Sequence, residues 1–267
     1  MERRKFVTSS LAAAAALGVA GAALPQADAA GPAAREYYEL RKYHMVAGPQ
    51  TKQAEDYVAN ALIPALNRLG LGPVGAFYLT FGPETPTLYL LIPGGSVEAL
   101  VTAELRLAED AVFMKAAEPF WNAPATQPAF VRVESALMIA FAGWPKLTPP
   151  AAAARQGKRI FQLRTYESAT NQDHVRKVEM FHHGEFEIFA RSGCEAIFYA
   201  DTLIGPRLPN LTYMLTFSDM ADLDAKWKRF SSDPDWMKLK ASPRYAFEQI
   251  VSNISNLILT PTAFSQI

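Results

Sequence analysis

One pattern occurs twice in this chain, and no other feature constrains its fold as tightly. YELRKYHM, Tyr38 to Met45, and FQLRTYES, Phe161 to Ser168, share an aromatic-x-Leu-Arg-x-Tyr frame, with Arg41 and Arg164 123 residues apart. A self-similar period sets the architecture before any local propensity does. In the first copy, alternating YYELRKYHM reads as a strand and Pro49 to Leu69 as a helix closed by Gly70 and Gly72. PVGAFYLTFG and TLYLLIPG read as two more strands, Ser96 to Ala117 as a helix, and FVRVESALMIAF as a last strand. The second copy repeats the order: strand RIFQLRTYES, a helix from Asn171 to Arg191 stopped by Gly193, then strands CEAIFYADTLIG and NLTYMLTFS. A helix from Met220 to Phe230, a helical piece after Pro234 and a closing strand in AFEQIVSNISNLIL complete it.

Each copy is therefore β-α-β-β-α-β, the ferredoxin-like order. Helices on one face of a four-stranded sheet leave the other face bare, and two copies in one chain can cover each other. The expected class is α+β, with tandem ferredoxin-like (βαββαβ) repeats forming an intrachain α/β-barrel. The organisation reads as an export signal over 1–29, a first repeat over 35–144, a Pro- and Ala-rich linker over 145–158 and a second repeat over 159–262.

The leader is an address. Arg3, Arg4 and Lys5 precede an apolar run from Leu11 to Leu24, and Ala27 and Ala29 make the A-x-A arrangement of a cleavage site. Those fourteen residues are too few to span a bilayer, which needs about 20. Arg3-Arg4 followed by Phe6 and Val7 resembles a twin-arginine signal, which implies export in the folded state to the periplasm or beyond. The whole chain has formal net charge +0, and removing 1–29 leaves about −1. No stable membrane span is expected afterwards, and the absence of a basic surplus argues against nucleic acid. The single cysteine, Cys194, excludes an internal disulfide framework and reads as a core thiol.

The motifs resemble those of the NIPSNAP family, within the dimeric α/β-barrel superfamily of ferredoxin-like folds. The resemblance rests on YYELRKYHM and ALIPALNRLGLGPVGAF in the first half. In the second it rests on LRTYES, FYADTLIGPRLPNLTYMLTF and WKRFSSDPDWMK. It implies a tandem pair of barrel-forming domains and supplies no catalytic motif. Relatives in the wider superfamily include cofactor-free monooxygenases and haem-handling enzymes, which is analogy of fold. The export leader departs from the organellar and vesicular setting of animal members, so their adaptor roles are not carried over.

Candidate chemistry concentrates in HVRKVEMFHHGEFEIF. At about 100° per residue, Val175, Val178, Phe181, Phe186, Ile188 and Phe189 form a stripe expected to face the sheet. Glu179, His183 and Glu187 fall on a polar flank. His182 and Glu185 fall inside the stripe, three residues apart, where each can partner the other. They are the candidate catalytic pair; a satisfied structural pair and a ligand pocket with acid–base capacity are both open readings. His174 sits at the stripe's edge, about 12 Å from His182 along the axis. The two cannot share an ion, and no metal-ligand spacing occurs. On the strand, Gln162, Arg164 and Tyr166 share a face, as do their counterparts Glu39, Arg41 and Tyr43. They read either as a ladder across the joined sheets or as an anion pocket. Arg164, Tyr166, Tyr199, Tyr213 and His174 are thus the candidates for holding a cofactor or ligand, and no cofactor is named by any motif. Trp227 and Trp236 read as anchors of the last helices.

Three functions stay open: binding of a small organic ligand or protein partner, a monooxygenase-like enzyme using His182 and Glu185, and a homo-oligomeric structural assembly built through sheet edges. The leader yields the first test. Replacing Arg3 and Arg4 together by Lys should retain the precursor in the cytoplasm, because a twin-arginine receptor distinguishes guanidinium from ammonium pairs. Undiminished export of that variant, followed by cell fractionation, would return the leader to an ordinary secretory signal.

Overall fold

The computed structural model describes residues 34–151 and 158–267. The leader and the centre of the linker lie outside the described residues. Eight strands make one closed antiparallel barrel in the order β1-β3-β2-β8-β5-β7-β6-β4. They are β1 (Tyr37–His44), β2 (Gly75–Phe81), β3 (Thr87–Gly94), β4 (Arg132–Ala140), β5 (Ile160–Glu167), β6 (Glu195–Ile204), β7 (Asn210–Phe217) and β8 (Asn253–Pro261). Each half contributes four strands, and two seams join the halves: β2 with β8, and β4 with β6. Both seams carry a register shift, between Leu79 and Phe81 and between Leu137 and Met138.

The helices stand outside. The first half carries α1 (Pro49–Tyr57), a wide turn at Val58–Leu62, α2 (Ile63–Arg68), α3 (Val97–Val101), α4 (Ala103–Ala108) and α5 (Ala111–Trp121). The second carries α6 (Asn171–Met180), a wide turn at Phe181–Glu185, α7 (Phe186–Arg191), α8 (Met220–Ser232), α9 (Pro234–Lys240) and α10 (Phe247–Ile250). Each half packs its helices on its own strands as a separate core. A third core fills the barrel and belongs to both halves, with Tyr38, Leu40, Phe77 and Leu91 meeting Phe161, Leu163, Phe198 and Met214. At its floor Tyr38 packs on Phe198 (5.2 Å) and Phe77 on Phe161 (4.7 Å) across the two halves. Such pairs contribute about 0.5–1.5 kcal/mol beyond the burial of their area.

The long helix expected from Ser96 to Ala117 is three helices, because Asp110 accepts from the backbone of Val112 and Phe113 and starts α5 afresh. The strand expected over AFEQIVSNISNLIL begins only at Asn253; Phe247–Ile250 is a helical turn. Asp233 caps α9 as its Asp-Pro pair predicts, and Cys194 is buried, its thiol pushed up to about 11 by that burial. Closure also removes the free strand edges that the assembly reading requires.

One end of the barrel is stoppered by the chain itself. Leu147 and Ile267 pack against the interior core, Leu147 donating its amide to Glu36 and Val74 donating to Gln266 Oε1. The other end, where the β2–β3 and β6–β7 hairpins turn, is the mouth. Because each half owns only one wall of the shared interior, neither should be stable alone. Residues 35–144 and 158–267 expressed separately should aggregate or pair with themselves. Two soluble monomers with cooperative thermal unfolding would contradict this dependence.

Candidate functional site

The helical segment carrying the predicted pair is not one continuous helix. At Phe181–Glu185, His183 (φ −106°) and Gly184 (φ 136°) leave helical backbone, a conformation that Gly184 adopts without a Cβ penalty. The phase assumed for the apolar stripe is lost there. Val175, expected against the sheet, is 55% exposed. His183 and Glu187 are exposed as expected, while Glu179 is held by Arg244 at 2.6 Å.

His182 and Glu185 do not pair. His182 Nε2 accepts from the Gly143 amide (3.0 Å) and Nδ1 lies 2.9 Å from the Val178 carbonyl, to which it donates. Both nitrogens are thereby used, and the ring clasps its helix to the segment after β4. Glu185 instead receives Lys177 Nζ at 2.6 Å, the two side chains being 1% and 0% exposed. Helical spacing does not point to Lys177, which is eight residues from Glu185, a separation that the wide turn brings into contact. Its ammonium lies over the rings of Phe181 (4.5 Å), Phe247 (4.9 Å) and Tyr166 (5.2 Å). Burial pushes Lys177 down and Glu185 up, and each charge opposes the other's shift. His174 stands apart and meets Asp201 at 2.6 Å.

The strand candidates gather around that ion pair. Arg164 donates to Tyr166 Oη (3.1 Å), Tyr166 and Tyr213 hydroxyls meet at 2.8 Å, and Tyr199 stacks on Tyr213 at 5.5 Å. Burial raises all three phenols, Tyr213 and Tyr199 well above their ordinary value. The group lies between sheet and helices and is packed; it includes Phe181 and Phe189. Arg41 and Arg164 form no ladder, because β1 and β5 are not neighbours and each arginine lies beneath its own helices. Arg41 is gripped by Glu39 (2.7 Å) and Glu104 (2.7 Å). At the corresponding second-half positions stand Gln162 and Trp227, so Arg164 lies 4.5 Å over an indole instead.

One concavity among several opens into the barrel interior itself, at its mouth, and the residue patterns did not single it out. Its floor is Leu40, Met138, Leu163 and Leu257; its walls include Lys42, Tyr89, Glu134, Arg207, Thr165 and Thr212. The cavity is small, about 70 Å³. The walls differ in bulk. Lys42, Tyr89 and Glu134 of the first half correspond by strand register to Thr165, Thr212 and Ser255 of the second. The first half therefore supplies a charged, bulky wall and the second a short hydroxyl wall, and the difference in size is the cleft. Its only sequence signal was the divergence of Lys42 and Thr165 inside the repeated motif. Among the described residues no cluster of three or more His, Cys, Asp or Glu could hold a metal ion, and no helix is long and apolar enough to cross a membrane.

Residues 161–266, most of the second half, match the NIPSNAP family model. No curated protein matches the chain. Among solved structures it is similar to a candidate monooxygenase of Fusobacterium nucleatum, at 8% identity over 86% of this chain and 93% of that one, with a TM-score of 0.54. It is also similar to one of Lactobacillus acidophilus, at 9% identity over 85% and 94%, with a TM-score of 0.53. These likenesses show the fold. A NIPSNAP-like domain protein of Burkholderia xenovorans is 21% identical over 41% of this chain and 90% of its own, with a TM-score of 0.37.

The Lys177–Glu185 pair gives a direct test. Lys177→Met or Glu185→Leu alone strands a buried charge and should cost about 3–5 kcal/mol. The double replacement should recover most of that loss or exceed wild-type stability, because the pair's desolvation is then avoided. The first half already holds Ala54 and Leu62, both 0% exposed, at the corresponding positions. Chemical unfolding of the three variants checks it; a double variant as unstable as the singles would show that the pair is worth its desolvation.

Proposed function

We propose that this chain is an exported NIPSNAP-type protein in both halves and that it binds a small organic ligand in its barrel mouth. The observation that carries the reading is the unequal pair of walls. A barrel interior this well packed elsewhere has an open, apolar-floored cleft with convergent polar groups only where small hydroxyl residues face large charged ones, the usual make-up of a ligand site. The packed state of the Lys177–Glu185 cluster favours the mouth over the predicted catalytic pair. Export in the folded state, read from Arg3 and Arg4, is compatible with a ligand loaded before or after translocation. The likeness to candidate monooxygenases concerns the fold and adds no reaction to this reading.

The test copies one wall onto the other. Thr212→Tyr places at the second-half position the residue that Tyr89 provides in the first, filling the cleft with a side chain its counterpart already accommodates. Native mass spectrometry of protein exported by its own host should find a small organic ligand on the wild type and none on Thr212→Tyr. A ligand retained by the filled variant would move the site elsewhere, and wild type without any bound molecule would count against ligand carriage.

A further inference from the structure

The chemistry of the mouth narrows its ligand, an inference that rests on the mouth being the ligand site. We propose that the mouth binds a small monocarboxylic acid, its carboxylate held by Lys42, Tyr89 and Arg207 and its apolar body laid on Leu40, Met138 and Leu163. The three donors come from β1, β3 and the β6–β7 hairpin and line one cleft. None is fully engaged by the protein. Lys42 Nζ lies 3.4 Å from Glu134, and Arg207 Nη1 lies 3.4 Å from Glu167 while donating to Ser255 Oγ at 2.7 Å. Tighter pairs in this molecule, Lys177 with Glu185 and Arg191 with Asp233, close to 2.6 and 2.7 Å. The longer separations leave donor capacity facing the cleft.

Tyr89 is 5% exposed, and among the described residues its hydroxyl makes no hydrogen bond. Burial, then the charges of Glu134 and Glu84, push the phenol up to about 12 against the opposing effect of Arg207. It therefore keeps its proton near neutral pH and is a donor to an anion.

The neighbouring carboxylates do not compete decisively. If Lys42 turns to a ligand, Glu134 keeps Arg132 at 3.1 Å; if Arg207 turns, Glu167 keeps the Asn253 side-chain amide at 2.8 Å. Exchange of partners thus strands neither glutamate, which would otherwise be costly. The floor decides between anions. A free phosphate or a sugar acid would leave Leu40, Met138 and Leu163 uncovered, whereas a carboxylate with a short apolar body covers them and removes that area from water. An amine would meet two cations at the wall, and the one carboxylate lining it, Glu134, is already shared between Lys42 and Arg132.

Isothermal titration of the wild-type chain with hexanoate, octanoate and benzoate, beside hexan-1-ol and hexylamine, tests the assignment. An acid should bind, the alcohol should bind roughly tenfold or more weakly, and the amine should not bind. Added salt should weaken the acid and leave the alcohol unchanged, a comparison that needs no variant. Lys42→Met and Arg207→Asn should each weaken the acid roughly ten- to hundredfold. Asn is chosen because Arg207 sits at φ 60°, which Asn tolerates better than most residues. Alcohol binding as tight as the acid's, and lost in Thr212→Tyr, would keep the mouth as the ligand site and overturn the carboxylate. No binding of any of the three acids, or acid binding insensitive to salt and to both substitutions, would overturn the proposal as well.

Discussion

A four-stranded sheet with helices on one side has an apolar face and nothing to put against it, and the rest of this structure depends on how that face is covered. Here the two sheets are joined edge to edge by β2–β8 and β4–β6 and the bare faces become one interior. The solution removes all four sheet edges along with both exposed faces. It also grades the interior along the barrel axis. Aromatic rings fill the end that Leu147 and Ile267 stopper, aliphatic side chains fill the middle, and ionic and hydroxyl groups stand at the end with water beyond it. A cleft with an apolar floor and a polar rim follows from that gradient wherever the rim is not fully filled.

The repeats keep their backbone plan and exchange their chemistry at matched positions. Both halves have the wide turn in the first helix, at Val58–Leu62 and Phe181–Glu185, 123 residues apart as the arginines are. The turn is therefore a feature of the repeat and not a mark of function in one copy. What differs is where charge is placed. The first half surrounds Arg41 with Glu39 and Glu104 and keeps Ala54 and Leu62 in its core. In the second half the counterparts of those carboxylates are Gln162 and Trp227, and a charge pair occupies the counterparts of Ala54 and Leu62. Lys177 and Glu185 thereby accept a desolvation that the first half avoids. Nearby aromatic faces offset part of it for the ammonium.

Most of the fold was legible in the sequence because it is carried by periodicity and repetition. The order of strands and helices, the coupling of two halves and the inward and outward alternation around Arg41 and Arg164 all depend on patterns that survive local irregularity. The sites were less legible, because one irregular residue rephases everything beyond it. Gly184 at φ 136° turns an i, i+3 neighbour pair into two unrelated side chains and pairs Glu185 with Lys177, which no helical rule places beside it. Asp110 likewise divides a helix whose composition reads as continuous. The mouth was hidden for another reason: its residues come from seven strands and a hairpin. No sequence window contains the contrast between Tyr89 and Thr212 that opens it.

That contrast also bears on why both repeats are in one chain. A barrel made from two identical one-repeat chains would be two-fold symmetric, so every side chain at the mouth would appear twice. Two copies of the Lys42, Tyr89 and Glu134 wall would face each other and fill the space. Two copies of the Thr165, Thr212 and Ser255 wall would open it but carry no cation from either strand. Covalent duplication lets the two walls change independently, so one supplies charge while the other supplies room. An asymmetric cleft, charged on one wall and open on the other, is a feature that the tandem arrangement permits and the symmetric one forbids.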